Sequence, residues 1–160
     1  MVVALVTVAG LAQAATDESI ENAWIAPGGR VQVQVGGKTM NLAQEPSQVS
    51  ARALAISPDR QAVGWLVEAP NCCTSYPIPL TLMLLRPGAK AMRLGANGLA
   101  IWGWAFRAGG AQVAFYTGPV HGDYIPNYQL HDVRTGRLID TWIGREQRQA
   151  PEWARGLKPR

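Results

Sequence analysis

The sequence predicts an all-β fold of antiparallel four-stranded units, and three observations carry this prediction. Pro and Gly punctuate short runs of apolar and β-branched residues along the whole chain. No segment holds a helical period over three turns. Two stretches 50 positions apart share one order of strands and turns. Because 160 residues with 48% hydrophobic content suffice for one core, we expect a single domain over 15–144.

The N-terminal segment, residues 1–14, has the pattern of a secretory signal peptide. It is apolar from Val2 to Leu11 and reaches the A-x-A ending Ala12-Gln13-Ala14, although no basic residue precedes Arg30. The apolar run is too short to span a bilayer as a helix. We therefore expect export to a periplasmic or secreted location without a membrane span; the alternative is a buried N-terminal strand or helix.

The excess of positive over negative charge lies entirely in the C-terminal part of the chain. Lys and Arg number eight and Asp and Glu eight over 1–133, against seven and three over 134–160. We expect a basic, solvated tail over 145–160, with one helical turn near Glu152 and with Pro151 preventing a longer helix. Since no basic groove lined by aromatic residues accompanies this charge, we predict no nucleic-acid partner.

The first clear element is a hairpin over 30–43. Val31, Val33 and Val35 alternate with glutamines, and the pair Gly36-Gly37 then forms a two-residue turn before the chain returns. This alternation predicts one apolar and one polar face.

The next elements are two repeats, 49–95 and 99–143. Each has two strands joined by a short turn, an irregular loop, and two more strands joined by a tight turn. The matched pairs are Ile56 with Phe106, Val63 with Val113, and Trp65 with Phe115. Both faces of the strand from Val63 are apolar, which predicts that sheets pack on both of its sides.

Two turns carry a resemblance to a known family. The stretch "ALAISPDRQAVGWLVE" resembles the "SPDG" hairpin of Tol-system and prolyl-oligopeptidase-type β-propellers, with Arg60 where Gly is usual. The stretch "YQLHDVRTGRLIDTW" resembles the "DxxTG" hairpin of those and of WD-repeat blades. The resemblance implies blade-like units and structural roles for the turn residues, which are Ser57, Pro58, Asp59, Asp132, Thr135 and Gly136.

The resemblance covers about two and a half blades, whereas a closed propeller needs about four or more. We therefore expect a compact propeller-like or sandwich domain that does not close a ring on its own. Self-association into a ring or stack, and a fragment of a larger propeller enzyme, are the alternatives.

The corresponding loops of the two repeats, 69–80 and 117–127, are the predicted recognition rim. Equivalent loops of blade-like units emerge on one side, which would bring the reactive side chains of both loops together. The candidate binding residues are Cys72, Cys73, Tyr76, His121, Asp123 and Tyr124.

The adjacent cysteines, Cys72 and Cys73, are the two thiols of the chain, so an intramolecular disulfide would be vicinal. Adjacent Cα atoms lie about 3.8 Å apart, short of the usual bridge distance, so such a bridge would form a strained, tight turn. A loop clip, a redox-labile switch, a soft-metal site completed by His121 or His131, and an intermolecular bridge remain open.

No catalytic set stands out in the sequence. A G-x-S-x-G elbow is missing and the carboxylates scatter over turns and termini. The tryptophans at 102, 104 and 142 fit core strand positions, although an exposed one could help to bind a sugar or a peptide. We therefore expect a non-enzymatic exported domain, without metal or cofactor, that binds a protein or envelope component; a thiol-based redox or soft-metal protein is the alternative.

Overall fold

The computed structural model describes residues 18–70, 75–95, 98–121, 125–145 and 149–157. It confirms the all-β prediction, with three separate antiparallel sheets and two single-turn 3-10 helices at Ala108–Gly110 and Glu152–Ala154. No helix within these ranges is long and apolar enough to cross a membrane. The strands are β1 (Ile20–Ala26), β2 (Arg30–Val35), β3 (Lys38–Asn41), β4 (Ser50–Ile56), β5 (Val63–Ala69), β6 (Ile78–Leu85), β7 (Met92–Gly95), β8 (Ala100–Arg107), β9 (Gln112–Gly118), β10 (Asn127–Asp132) and β11 (Leu138–Ile143).

The N-terminal sheet has the order β1-β2-β3. Strands β2 and β3 lie within 30–43, and the turn between them places Gly36 and Gly37 at φ angles of 55° and 71°, which glycine adopts without a steric penalty. Strand β1 was not predicted from the sequence, and it adds a third strand to this hairpin. The valines of β2 are buried, because they face the next sheet.

The central sheet (β4-β5-β6-β7) and the C-terminal sheet (β8 to β11) are simple meanders of the same kind. Their first strands are irregular at corresponding places, between Arg52 and Ala55 in β4 and between Ile101 and Gly103 in β8. Such β-bulges leave residues out of the ladder and bend the strand. The two units therefore share this local irregularity as well as their strand order.

The three sheets stack face to face, with the central sheet in the middle. One of its faces packs on the N-terminal sheet through Val63, Trp65 and Val67. Its other face packs on the C-terminal sheet through aliphatic residues that meet Phe115. Burial on both faces accounts for the near-continuous apolar sequence of β5.

The turns after β4 and β8 touch at one end of the stack. Gly110, at a φ of 120°, lies so close to the Asp59 carboxylate that a Cβ added there would overlap it. The central and C-terminal sheets therefore point the same way along the stack. Consequently, the loops that follow β5 and β9 both leave from the opposite end.

The C-terminal segment 149–157 packs on the outer face of the C-terminal sheet, where the sequence predicted a solvated tail. Ala154 and Leu157 are buried in a cluster with Tyr116 and Tyr128. The helical turn is a 3-10 turn at Glu152–Ala154. This docking could not be inferred from the charge of the segment, because the few apolar side chains among its basic residues make the contact.

Candidate functional site

The predicted rim lies only partly within the described residues. Tyr76 is 46% exposed in the loop that precedes β6, and His121 is exposed in the loop that follows β9. The direction of the two sheets places both loops at the same end of the stack. The other four candidate binding residues lie outside the described residues; they are Cys72, Cys73, Asp123 and Tyr124.

His131 is a buried residue of β10 and does not face the rim loops. Its Nδ1 lies 2.9 Å from the carbonyl oxygen of Gly136, and its Nε2 lies 3.0 Å from the side-chain amide of Gln129. The ring stacks on Phe115 with centroids 5.2 Å apart. These contacts hold the imidazole within the sheet.

The turn after β4 is held by side-chain hydrogen bonds. The buried Ser57 hydroxyl donates to Asp59 Oδ1 at 2.5 Å and accepts from the backbone N–H of Ala62 at 2.8 Å. Pro58 lies between them in the turn. Arg60 takes a φ of 58°, the left-handed region in which Gly is usual, and a guanidinium nitrogen donates to the carbonyl of Glu21 in β1.

The turn after β10 is organised by Asp132. Its Oδ1 accepts from both the backbone N–H and the hydroxyl of Thr135 at 2.7 Å, and Gly136 takes a φ of 71°. The Thr135 hydroxyl, followed by its backbone N–H, lowers the pKa of the Asp132 carboxyl from its ordinary value of 3.8. The turn therefore prefers the ionised carboxylate.

A cleft that the sequence did not predict lies between β4 and β8, the first strands of the central and C-terminal sheets. It is a cavity of about 480 Å³. Both β-bulges contribute to its wall, because the cavity is lined by Arg52 and Ala53 on one side and by Trp102 and Gly103 on the other. The other lining residues are Ala55, Leu66, Trp104, Tyr116, Gly156 and Leu157.

Arg52 is the charged side chain of this cleft and is 39% exposed. Its Nε lies 3.1 Å from Glu68 Oε1. This nitrogen atom is buried, and the contact does not have the geometry of a hydrogen bond. The contact is an ion pair rather than a hydrogen bond. The hydroxyl of Ser50 donates to the other oxygen of Glu68. Glu68 is 13% exposed, and its ion pair with Nε holds the guanidinium in place.

A second cavity of about 710 Å³ adjoins the cleft at Trp104 and Gly156, on the side of the C-terminal segment. Arg107 forms part of its wall and binds the docked segment, since Nε donates to the carbonyl of Trp153 at 2.7 Å and Nη2 to that of Arg155 at 2.9 Å. Burial lowers the pKa of this guanidinium from its ordinary value. The guanidinium of Arg107 therefore holds the segment 149–157 in place.

The tryptophans of β8 serve both packing and the cleft. Trp104 packs its ring against Gly64, where an added Cβ would come within 2.6 Å of Cη2, and its Nε1 donates to the carbonyl of Ala53 at 3.0 Å. Trp102 packs on the other face of the sheet. Both are partly exposed, so the prediction of core positions describes only part of their surroundings. Their spacing in one strand was the sequence signal that could have pointed to the cleft.

The side chains around the two cavities suit binding. The cleft offers indole and phenol rings with one guanidinium, and the second cavity adds Gln112 and Glu152. Within the described ranges no group of three or more His, Cys, Asp or Glu residues is placed to hold a metal ion.

Comparison with known proteins gives no assignment. No family model matches the chain, and no curated protein matches it significantly. The functional proposal therefore depends on the geometry of the chain itself.

Proposed function

We propose that this protein is an exported, non-enzymatic recognition domain that binds a protein or envelope component through the rim formed by loops 69–80 and 117–127. The observation that supports it is the shared direction of the central and C-terminal sheets, which brings both loops to one end of the stack. Tyr76 presents an exposed aromatic ring there, and aromatic residues are enriched in protein interfaces.

The resemblance to propeller blades supports this proposal. The sheets are simple meanders stacked face to face, and their turns carry the Ser-Pro-Asp and Asp-x-x-Thr-Gly geometry described above. In such architectures the loops at one side of the blades form a common surface, whereas the strands form a rigid scaffold beneath it. A binding role needs only that scaffold and that surface.

A pair of exposed rim residues tests the proposal. We expect the double variant Tyr76→Ser/His121→Ser to keep the thermal stability of the parent, because both side chains are exposed. It should lose about tenfold in the amount of partner cross-linked from a cell-envelope extract. The matched control is Leu138→Ser, because this side chain is 49% exposed at the opposite end of the stack.

Equal recovery of cross-linked partner by the double variant and the control would place the contact away from the rim. Recovery reduced in both variants would indicate a general loss of apolar surface instead. Either result would overturn the rim as the binding surface.

A further inference from the structure

We propose that the cleft between β4 and β8 is a second binding site, which takes a sugar residue that carries a carboxylate, of the uronic-acid type. Arg52 receives the carboxylate, and Trp102 and Trp104 form part of the wall against which the sugar ring packs. This proposal does not depend on the rim, because none of the residues that line the cleft belongs to loops 69–80 or 117–127.

Two β-bulges coincide at this cavity. Ala53 has a φ of 50° although it is not glycine, a strained backbone conformation that persists only where the surroundings impose it. Its carbonyl accepts the indole N–H of Trp104 and so fixes that ring beside the cavity. Bulges concentrate at sites where a strand must re-aim a side chain. The two repeats bulge at equivalent places, and the cleft lies between them.

Arg52 is positioned to receive a carboxylate. It is the one charged side chain among the described residues that line the cleft, and neither Nη atom has a hydrogen-bond partner there. Glu68 accepts from the Ser50 hydroxyl and pairs with Arg52 Nε, so the guanidinium is held in position. Its two Nη atoms stay available as donors. A guanidinium fork matches a carboxylate in geometry and charge.

The wall of the cleft suits a sugar ring. Indole and phenol rings give flat apolar surfaces with a polar edge, which suit the apolar face of a sugar ring. A volume of about 480 Å³ is within the range of small-ligand sites.

An extended peptide fits the same place less well. Both β4 and β8 are edge strands, which in principle accept an added strand. The bulges interrupt the regular row of N–H and C=O groups at the cleft, and interruptions of this kind protect edges from strand addition. The bulged edges therefore favour a compact ligand over a pairing strand.

The test uses trigalacturonate as the acidic probe and galactotriose as its neutral counterpart, by isothermal titration calorimetry on the full chain at physiological salt. We expect trigalacturonate to bind with a Kd below about 1 mM and galactotriose to bind at least about tenfold more weakly. Arg52→Gln should weaken trigalacturonate binding by about tenfold or more, and Trp102→Ala by a similar factor.

Two further variants serve as controls. Arg52→Lys keeps the charge beside Glu68 but removes the fork, so we expect an intermediate loss of affinity with an unchanged melting temperature. Arg137→Gln removes an exposed arginine that does not line the cleft, and this variant should bind as the parent does. Equal affinity for the two trisaccharides, parental affinity in Arg52→Gln, an equal loss in Arg137→Gln, or no measurable binding of trigalacturonate would each overturn the site.

Discussion

The central and C-terminal sheets are built alike, yet they turn different faces to the layer that follows. The central sheet presents aliphatic side chains, Leu66, Leu82 and Leu84, to a regular sheet. The C-terminal sheet presents Tyr116 and Tyr128, with tryptophans beside them, to an irregular segment.

The difference shows how a stack of sheets can be terminated. A neighbouring sheet has already paired its backbone groups, so an aliphatic surface is enough to hold it. The irregular segment 149–157 brings unpaired carbonyls, and a buried carbonyl needs a donor. Arg107 supplies two of these donors, and the Tyr128 hydroxyl lies 3.4 Å from the carbonyl of Leu157. The second interface therefore depends on hydrogen bonds where the first depends on apolar contact.

The largest expected effect comes from Phe115, which is fully buried between the central and C-terminal sheets. Phe115→Ala should lower the free energy of unfolding by about 3–5 kcal/mol, because it removes apolar contact and leaves a cavity. Urea denaturation followed by tryptophan fluorescence measures this loss.

The matched control for that variant is Phe115→Leu, which keeps most of the volume and should cost less than about 1.5 kcal/mol. If the alanine variant loses no more than the leucine variant, apolar contact does not dominate the first interface, and the contrast between the two sheets fails.

The next effect concerns the hydrogen-bonded interface. Arg107→Ala removes two donors from the segment 149–157, and we expect it to cost about 2 kcal/mol and to release the segment while the sheets stay folded. Faster tryptic cleavage after Arg155 and faster amide exchange over 149–157 would report the release.

Arg137→Ala serves as the control, because it removes an exposed arginine that does not contact the segment. Uniform acceleration of exchange in all three sheets would show instead that the segment is an integral part of the core, and that the two interfaces are energetically alike.

The smallest effect distinguishes the turns between the third and fourth strands. The C-terminal sheet uses Asp132 with Thr135, whereas the central sheet uses Pro87-Gly88 without a carboxylate. Asp132→Ala should cost about 1 kcal/mol at neutral pH. Since the folded-state pKa of Asp132 lies below 3.8, its contribution is present above that pH and is lost as the pH falls through the lowered pKa.

Thermal denaturation from pH 7 to pH 2 checks this sign. The difference in stability between the parent and Asp132→Ala should narrow below about pH 4. A difference that stays constant with pH would mean that the carboxylate charge does not matter to the turn, and would remove this distinction between the sheets.

Local patterns in the sequence carried much of the fold. The alternation from Val31, the repeated apolar segments and the turn residues all act through neighbours close in the chain, so they can be read without a structure. Strand β1 was missed because Ile20–Ala26 lacks a clean alternation, and its pairing with β2 supplies what its own pattern does not. The docking of 149–157 was missed for a related reason, since Leu157 is buried only by its contact with the C-terminal sheet, whose strands lie earlier in the sequence.

Apart from the spacing of Trp102 and Trp104 in one strand, the sequence carried no signal for the cleft. Arg52 looks like any strand arginine, and its importance comes from the gap that two bulges open between strands about 50 positions apart. The predicted rim, in contrast, followed from the repeat, and the shared direction of the two sheets is consistent with it.

By itself, the sequence determined the all-β class and the repeated meander, because strand alternation and turn chemistry are local properties of the chain. The tertiary structure alone decided the order of the stacked layers, the segment that covers the last sheet and the cleft at Arg52. Each of these depends on contacts between residues far apart in the chain, and such contacts leave no periodic trace in the sequence.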